Sequence, residues 1–257
     1  MLWHKAWLET RWRFISAILI LTIMAGGNVY GWLATRALLP QLDSTTISPA
    51  AEATGLGSAI REAIELNKTF RGYIWSQAFR QNLTQMGVFF AILLGCGGLL
   101  HESSKGSALF TLSLPVTRKQ LLGARTGTGL AQLFAVAVVP PLVIPILSPA
   151  VGERFGLVDA LAHGLCIFFV AAVFFSLASF LSTLFTDIWR PLLIAVGIAC
   201  AFAFASFVVP QLSIFSVMSG ELYFRTGSLP WAGLLTSAVI ATALLYSAAE
   251  TLERRDF

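Results

Sequence analysis

Charge is what this chain has least of. Only 12% of its 257 residues are Asp, Glu, Lys or Arg, where an ordinary soluble domain carries about a quarter. Cysteine is scarce as well. Cys96, Cys166 and Cys200 show no CxxC spacing and no nearby His or Asp cluster, which argues against a metal site or a disulfide framework and for small apolar packing residues. None of the four lysines follows a glycine, so the phosphate-binding loop GxxxxGK[ST] is absent. HExxH and GxSxG are absent too, and no pair of carboxylates stands inside an apolar run. The formal charge of +4 is small, and its basic residues flank apolar runs, where lipid headgroups rather than nucleic acid are the matching partner.

What the chain has instead is uncharged length. Phe14–Thr35 lies between Arg13 and Arg36, and five further runs lie between Arg80 and His101, Arg125 and Glu153, Asp159 and Asp187, Arg190 and Glu221, and Arg225 and Glu250. Crossing a hydrocarbon core takes roughly 20 apolar residues as a helix. The sequence therefore predicts an all-α polytopic membrane protein, one domain over residues 1–257, with about six spans: Phe14–Leu39, Asn82–Leu100, Thr126–Ala150, Ala160–Phe185, Pro191–Val209 and Trp231–Ala249. The first run is too long for the core of a cleavable leader and is expected to remain as span one.

Between the spans the pattern changes. Leu2–Arg13 sets Trp3, Trp7 and Phe14 against Lys5, Glu9, Arg11 and Arg13, which reads as an interfacial helix or, alternatively, a frayed basic flank. Pro40 is expected to end the first helix. Residues 41–80 form an outer loop. Its first part is loop-like, and its second part gathers Ile60, Ala63, Ile64, Phe70, Ile74 and Ala78 on one helical face, either as a surface-lying helix or as an extension of span two. Pro140, Pro141 and Pro145 predict a kinked or interrupted third span. Pro210–Gly227 reads as irregular chain with short helices. Lysine and arginine are denser on the side that holds both termini and residues 101–125, which sets the termini inside.

No Asp, Glu, Lys or Arg falls at mid-span. Such residues mark ion-coupled transport and proton relays, so their absence argues against a secondary transporter. Asn28, Gln132 and His163 are the polar exceptions, and each is expected to hydrogen-bond between helices.

The segment with the oddest composition is residues 101–125. Glu102 follows span two. Leu109, Leu112 and Leu114 form an apolar patch too large to leave in water, Pro115 breaks the segment, and Arg118, Lys119 and Arg125 give it a basic edge. Read from its residues alone it is either a short lever that meets a partner or an interfacial loop. Glu102, Gly106 and the run Ser113-Leu114-Pro115-Val116-Thr117-Arg118 resemble the permeases of type 2 ATP-binding-cassette (ABC) transporters, which carry an acidic residue after span two, a glycine, and a Leu-rich stretch closing on Ser-Leu-Pro-Val-Ser/Thr-Arg. Six spans, Leu2–Arg13 and the tail Arg254-Arg255-Asp256-Phe257 are similar to that family as well. Gly106-Ser107 replaces the usual Gly-Thr, and the first outer loop is short.

The resemblance implies a permease subunit of an exporter in a bacterial inner membrane. Glu102, Gly106, Leu109, Leu112, Leu114, Pro115 and Arg118 would form a cytoplasmic coupling helix that docks into a separate ATPase dimer. ATP and Mg would be bound by that partner, and this chain would hold no cofactor and perform no catalysis. A second permease chain and membrane lipid would complete the assembly. The alternative is a non-transporting scaffold or sensor coupled to the same kind of ATPase.

Overall fold

The computed structural model describes residues 2–43, 56–96, 118–185, 187–208 and 213–253, and these are helical almost throughout. In chain order the helices are α1 (Leu2–Asp43), α2 (Leu56–Asn67), α3 (Phe70–Ile74), a π-helical stretch (Trp75–Leu83), α4 (Thr84–Gly95), α5 (Arg118–Leu147), α6 (Leu157–Leu184), α7 (Trp189–Val208), α8 (Ile214–Met218), α9 (Glu221–Thr226) and α10 (Trp231–Glu253). Five of them are long and apolar enough to cross a membrane, within Leu2–Leu39, Gln120–Val151, Leu157–Leu184, Trp189–Ser206 and Trp231–Glu253. The chain is therefore a helical membrane protein.

The helix expected over Asn82–Leu100 does not stand by itself. α3, the π-helical stretch and α4 follow one another without a break from Phe70 to Gly95. The polar first half of this run keeps it out of the set of five, although it travels the length of the bundle beside α1. Arg13 of α1 donates to the carbonyls of Leu93 and Cys96 at its last turn, Asn82 meets Asn28, and Trp32 packs on Phe70 and Tyr73 at its first turn. Arg13 and Trp32 are nineteen residues apart, about 28 Å of helix, which is close to the thickness of a hydrocarbon core. The end of the bundle at Arg13 is here called basal and the end at Trp32 distal. Exposed Trp12 and Trp189 lie towards the basal end and exposed Trp231 and Tyr30 towards the distal end, where aromatic side chains suit the lipid–water boundary.

α6 is the central helix and packs against α4, α5, α7, α8 and α10. Its sequence explains this position: past Asp159 it carries no charge, and it presents apolar or small residues on every side, as a helix surrounded by others must. Gly95 sets how near α4 can approach. A Cβ at that position would press on the backbone of Phe175 and come within 3.0 Å of the Ala178 Cβ. The absence of a side chain there lets two backbones meet, the usual device of helix pairs in lipid.

Three expectations are corrected. Leu2–Arg13 is not a separate interfacial element, because it continues into the first span as one helix of 42 residues. That helix also passes Pro40 and ends at Asp43, since a proline costs one hydrogen bond and need not stop a helix already near its end. Of the kinked or interrupted third span, the interruption does not occur: α5 runs through Pro140, Pro141 and Pro145 as one helix. Packed neighbours make this tolerable: Gly164 of α6 lies against the Ala137 carbonyl, where a Cβ would come within 3.1 Å. Residues 41–80 combine both readings offered for them. α2 is a separate amphipathic helix, Thr69 caps the next helix by accepting from the Gly72 N–H at 3.1 Å, and α3 begins the extension of the Asn82 run.

Candidate functional site

At the basal end the first turns of α1 contact both the end of α4, just before residue 97, and the first turns of α5, which begins at Arg118. Arg13 Nη1 donates to the Leu93 carbonyl at 3.0 Å and to the Cys96 carbonyl at 2.5 Å, closing the end of α4 with a positive charge where a helix carries its negative pole. One helical turn earlier Glu9 pairs with Arg125 of α5 at 3.4 Å and with Lys5 at 3.8 Å. Trp3 lies over Gly127, so that a Cβ there would come within 2.6 Å of the indole. A Cβ at Gly123 would meet nothing within 4 Å among the described residues, so among them the Gly123–Gly127 pair forms no two-glycine helix contact. Beneath this mount, Thr10, Leu94, Arg125, Ser179, Ser182 and Thr183 border a cavity of about 30 Å³, enough for about two waters.

Of the residues singled out for coupling, Glu102, Gly106, Leu109, Leu112, Leu114 and Pro115 lie outside the described residues. Arg118 is the first residue of α5, at the basal end. The described chain thus fixes where that segment is attached and what holds the two attachments together.

The distal half holds a second site that the sequence reading did not find. Between α2 and the π-helical stretch lies a cleft of about 400 Å³, bordered by Glu62, Asn67, Ser76, Gln77, Arg80, Gln81 and Gln85. Gln77, Gln81 and Gln85 recur every fourth residue and fall on one side of the run. The wide turn supports this arrangement: the Thr84 hydroxyl donates to the Phe79 carbonyl five residues back at 2.6 Å. π-helical geometry is rare and gathers at functional sites. Arg80 lies over the ring of Trp75, 5.5 Å from its centroid. The periodic glutamines directly before the apolar run were the available signal.

Above the cleft, α8 and α9 form a cap. Its centre is the carbonyl of Ser219, which accepts from Trp75 Nε1 at 3.2 Å and meets His163 Nδ1 at 2.9 Å, so that Nδ1 carries the proton. His163 is buried, stacked on Phe79 at 4.3 Å and met edge-on by Tyr223 at 5.5 Å. Gly220 turns the chain here at φ +66, and a Cβ would come within 2.6 Å of His163 Nδ1, so only glycine fits both the backbone and the space. Trp75 stacks on Phe224 at 4.5 Å. Tyr223 donates to Asp159 at 2.8 Å, and burial, followed by that hydrogen bond and the carboxylate charge, raises its phenol above the ordinary value. Arg225 joins Glu62 of α2 at 2.7 Å to Glu221 at 3.0 Å, and these two hydrogen bonds hold its guanidinium further above its ordinary value.

The polar exceptions within the spans separate here. Asn28 accepts from Asn82 at 3.1 Å and His163 bonds the cap, as hydrogen-bonding residues. Gln132 is buried and its amide has no hydrogen-bond partner among the described residues. Cys96 and Cys166 are buried, whereas Cys200 is exposed. No protein-family model, curated protein or solved structure matches the chain.

Proposed function

We propose that the chain is the membrane-spanning permease subunit of an ABC exporter, with Phe70–Gly95 as a sixth span and both termini in the cytoplasm. In this reading residues 101–125 dock into a separate ATPase that binds ATP and Mg, and a second permease chain completes the path. The observation that carries it is the basal mount. Arg13 grips the end of α4, and Glu9 grips α5 at Arg125, two turns past Arg118, so a push on the segment between them reaches α1, α4 and α5 together. A two-state bundle needs such a rigid entry point if ATP binding elsewhere is to bias it. The segment Glu102–Arg118 supplies the docking chemistry, with Glu102 and Arg118 as its charged ends and Leu109, Leu112 and Leu114 as its apolar residues.

The second reading, a non-transporting scaffold or sensor, draws on the distal cap, where Arg225 ties α2 to α9 and gives an outside signal something to release. Both are tested on tagged chain purified from its native membranes. An ABC ATPase subunit is expected to accompany the wild type, and Glu102→Ala or Arg118→Glu is expected to lower the associated ATP hydrolysis at least tenfold. Purification with no such subunit, or variants of unchanged activity, would remove the coupling proposal. Intact coupling without flux of any fluorescent lipid or drug probe into vesicles would favour the scaffold.

A further inference from the structure

We infer that the cleft between α2 and the π-helical stretch binds the headgroup of an amphiphile, one rich in hydroxyls and bearing a single anionic group, with its apolar tail lying along Met86 and Phe89. Gln85 stands eleven residues from Cys96, about 16 Å of helix above the basal grip of Arg13, which puts it near halfway through the bundle. Gln81 and Arg80 are one turn higher. All three are exposed on the surface of this chain, and among the described residues none of the amides at 77, 81 and 85 makes a hydrogen bond. Amides facing lipid tails at that depth would lose their water without replacement, which is costly. The face therefore needs water or a polar ligand.

A glutamine side chain offers both a donor pair and an acceptor, as do Asn67 and, through its hydroxyl, Ser76. Such a lining complements hydroxyl groups. Two charged residues border the cleft. Glu62 is already engaged by Arg225 at 2.7 Å. Arg80 lies over Trp75, and no carboxylate among the described residues pairs with it, so its planar fork is available to one phosphate or carboxylate. Met86 and Phe89 follow the glutamines towards the basal end, and both are exposed, 38% and 42%. Phe89 is one turn beyond Gln85 on the same side. A molecule with its headgroup at Arg80 and its tail at Phe89 leaves neither end mismatched.

As the cargo site of a transporter this rests on the reading above; as a binding site it stands without any ATPase, so the two can fail separately. The test uses the full chain alone in phosphatidylcholine nanodiscs. The probe is short-chain phosphatidylglycerol with a fluorescent tail, read by energy transfer from tryptophan. Phosphatidylcholine with the same tail is the comparison and free glycerol 3-phosphate the competitor. Saturable binding of one phosphatidylglycerol per chain is expected, at least tenfold tighter than the choline lipid. Arg80→Gln is expected to abolish that preference. The double change Gln81→Leu, Gln85→Leu is expected to weaken phosphatidylglycerol about tenfold. These side chains are exposed, and an unchanged melting temperature confirms that each variant is folded. Equal binding of the two lipids, or unchanged affinity in folded Arg80→Gln, would overturn the inference. Displacement by glycerol 3-phosphate at matching concentration would show a site for a soluble anion and overturn it equally.

Discussion

Replacing Arg13 by methionine tests the basal mount directly. The methionine keeps most of the apolar stem and removes the guanidinium. Two carbonyls, those of Leu93 and Cys96, then lose their donor at the end of α4. Hydrogen bonds from a charged group contribute about 1.5–3 kcal/mol each, and the charge adds a favourable interaction with the helix C-terminus. Arg13 is only partly buried, so water can reach the site and the lower part of that range applies. The expected loss is about 3 kcal/mol, which for a chain of this size is a fall of about 6–12 °C in melting temperature. Arg13→Lys retains the charge but reaches one carbonyl at a time, and about half the loss is expected. The assay is a tryptophan-fluorescence melt of purified protein in detergent at fixed scan rate. A methionine variant that melts within a degree or two of the wild type would show that these carbonyls are met in some other way, and the argument that α1 locks the end of α4 would fail.

Two further outcomes follow from packing and titration. Gly95→Ala places a Cβ against the backbone of Phe175 and is expected to cost about 1–3 kcal/mol. Gly123→Ala meets nothing within 4 Å among the described residues and is expected to be neutral or to gain up to about 1 kcal/mol; a melt of the two side by side checks both. Tyr223→Phe is expected to cost about 1 kcal/mol at neutral pH, through its hydrogen bond to Asp159. Because the folded protein raises this phenol, the contribution is complete below the ordinary tyrosine value of about 10 and is lost as pH rises through the raised one. Ultraviolet titration should therefore lose a phenol that ionises above about 10 when Tyr223 is replaced.

The spans were legible because the cost of charge in hydrocarbon forces long uncharged runs, and five of the predicted six match helices that meet both length and apolarity. The cap was legible in outline: Pro210–Gly227 promised short helices, and α8 and α9 supply them. What the residues could not reveal was continuity. Leu2–Arg13 has the tryptophans and basic residues of an interfacial helix, yet it is the lower part of α1, because Glu9 and Arg13 find their partners on α5 and α4 rather than in the headgroups alone. Those partners are eighty or more residues away in sequence, and no local pattern announces them. The same holds for His163. Its place in an apolar run marked it as a bonded residue, but the Ser219 carbonyl it meets is delivered by a glycine turn fifty-seven residues on.

The distal cleft was missed for a different reason, and the reason bears on its use. Counting spans by their bounding charges treats Arg80 as the edge of the membrane. The helix does not stop there. It continues by way of the π-helical stretch to Phe70, where Trp32 meets it at the other end of the 28 Å interval that Arg13 begins. With Phe70–Gly95 as the proposed sixth span, Arg80 and the glutamines stand within the thickness that the rest of the bundle fills with apolar side chains. A protein surrounded by lipid on every side gains nothing from placing three amides and a guanidinium there. It does so at a cost unless that face meets water, a second chain or a polar headgroup, and the headgroup proposed above would meet the amides, the arginine and the apolar track below them together.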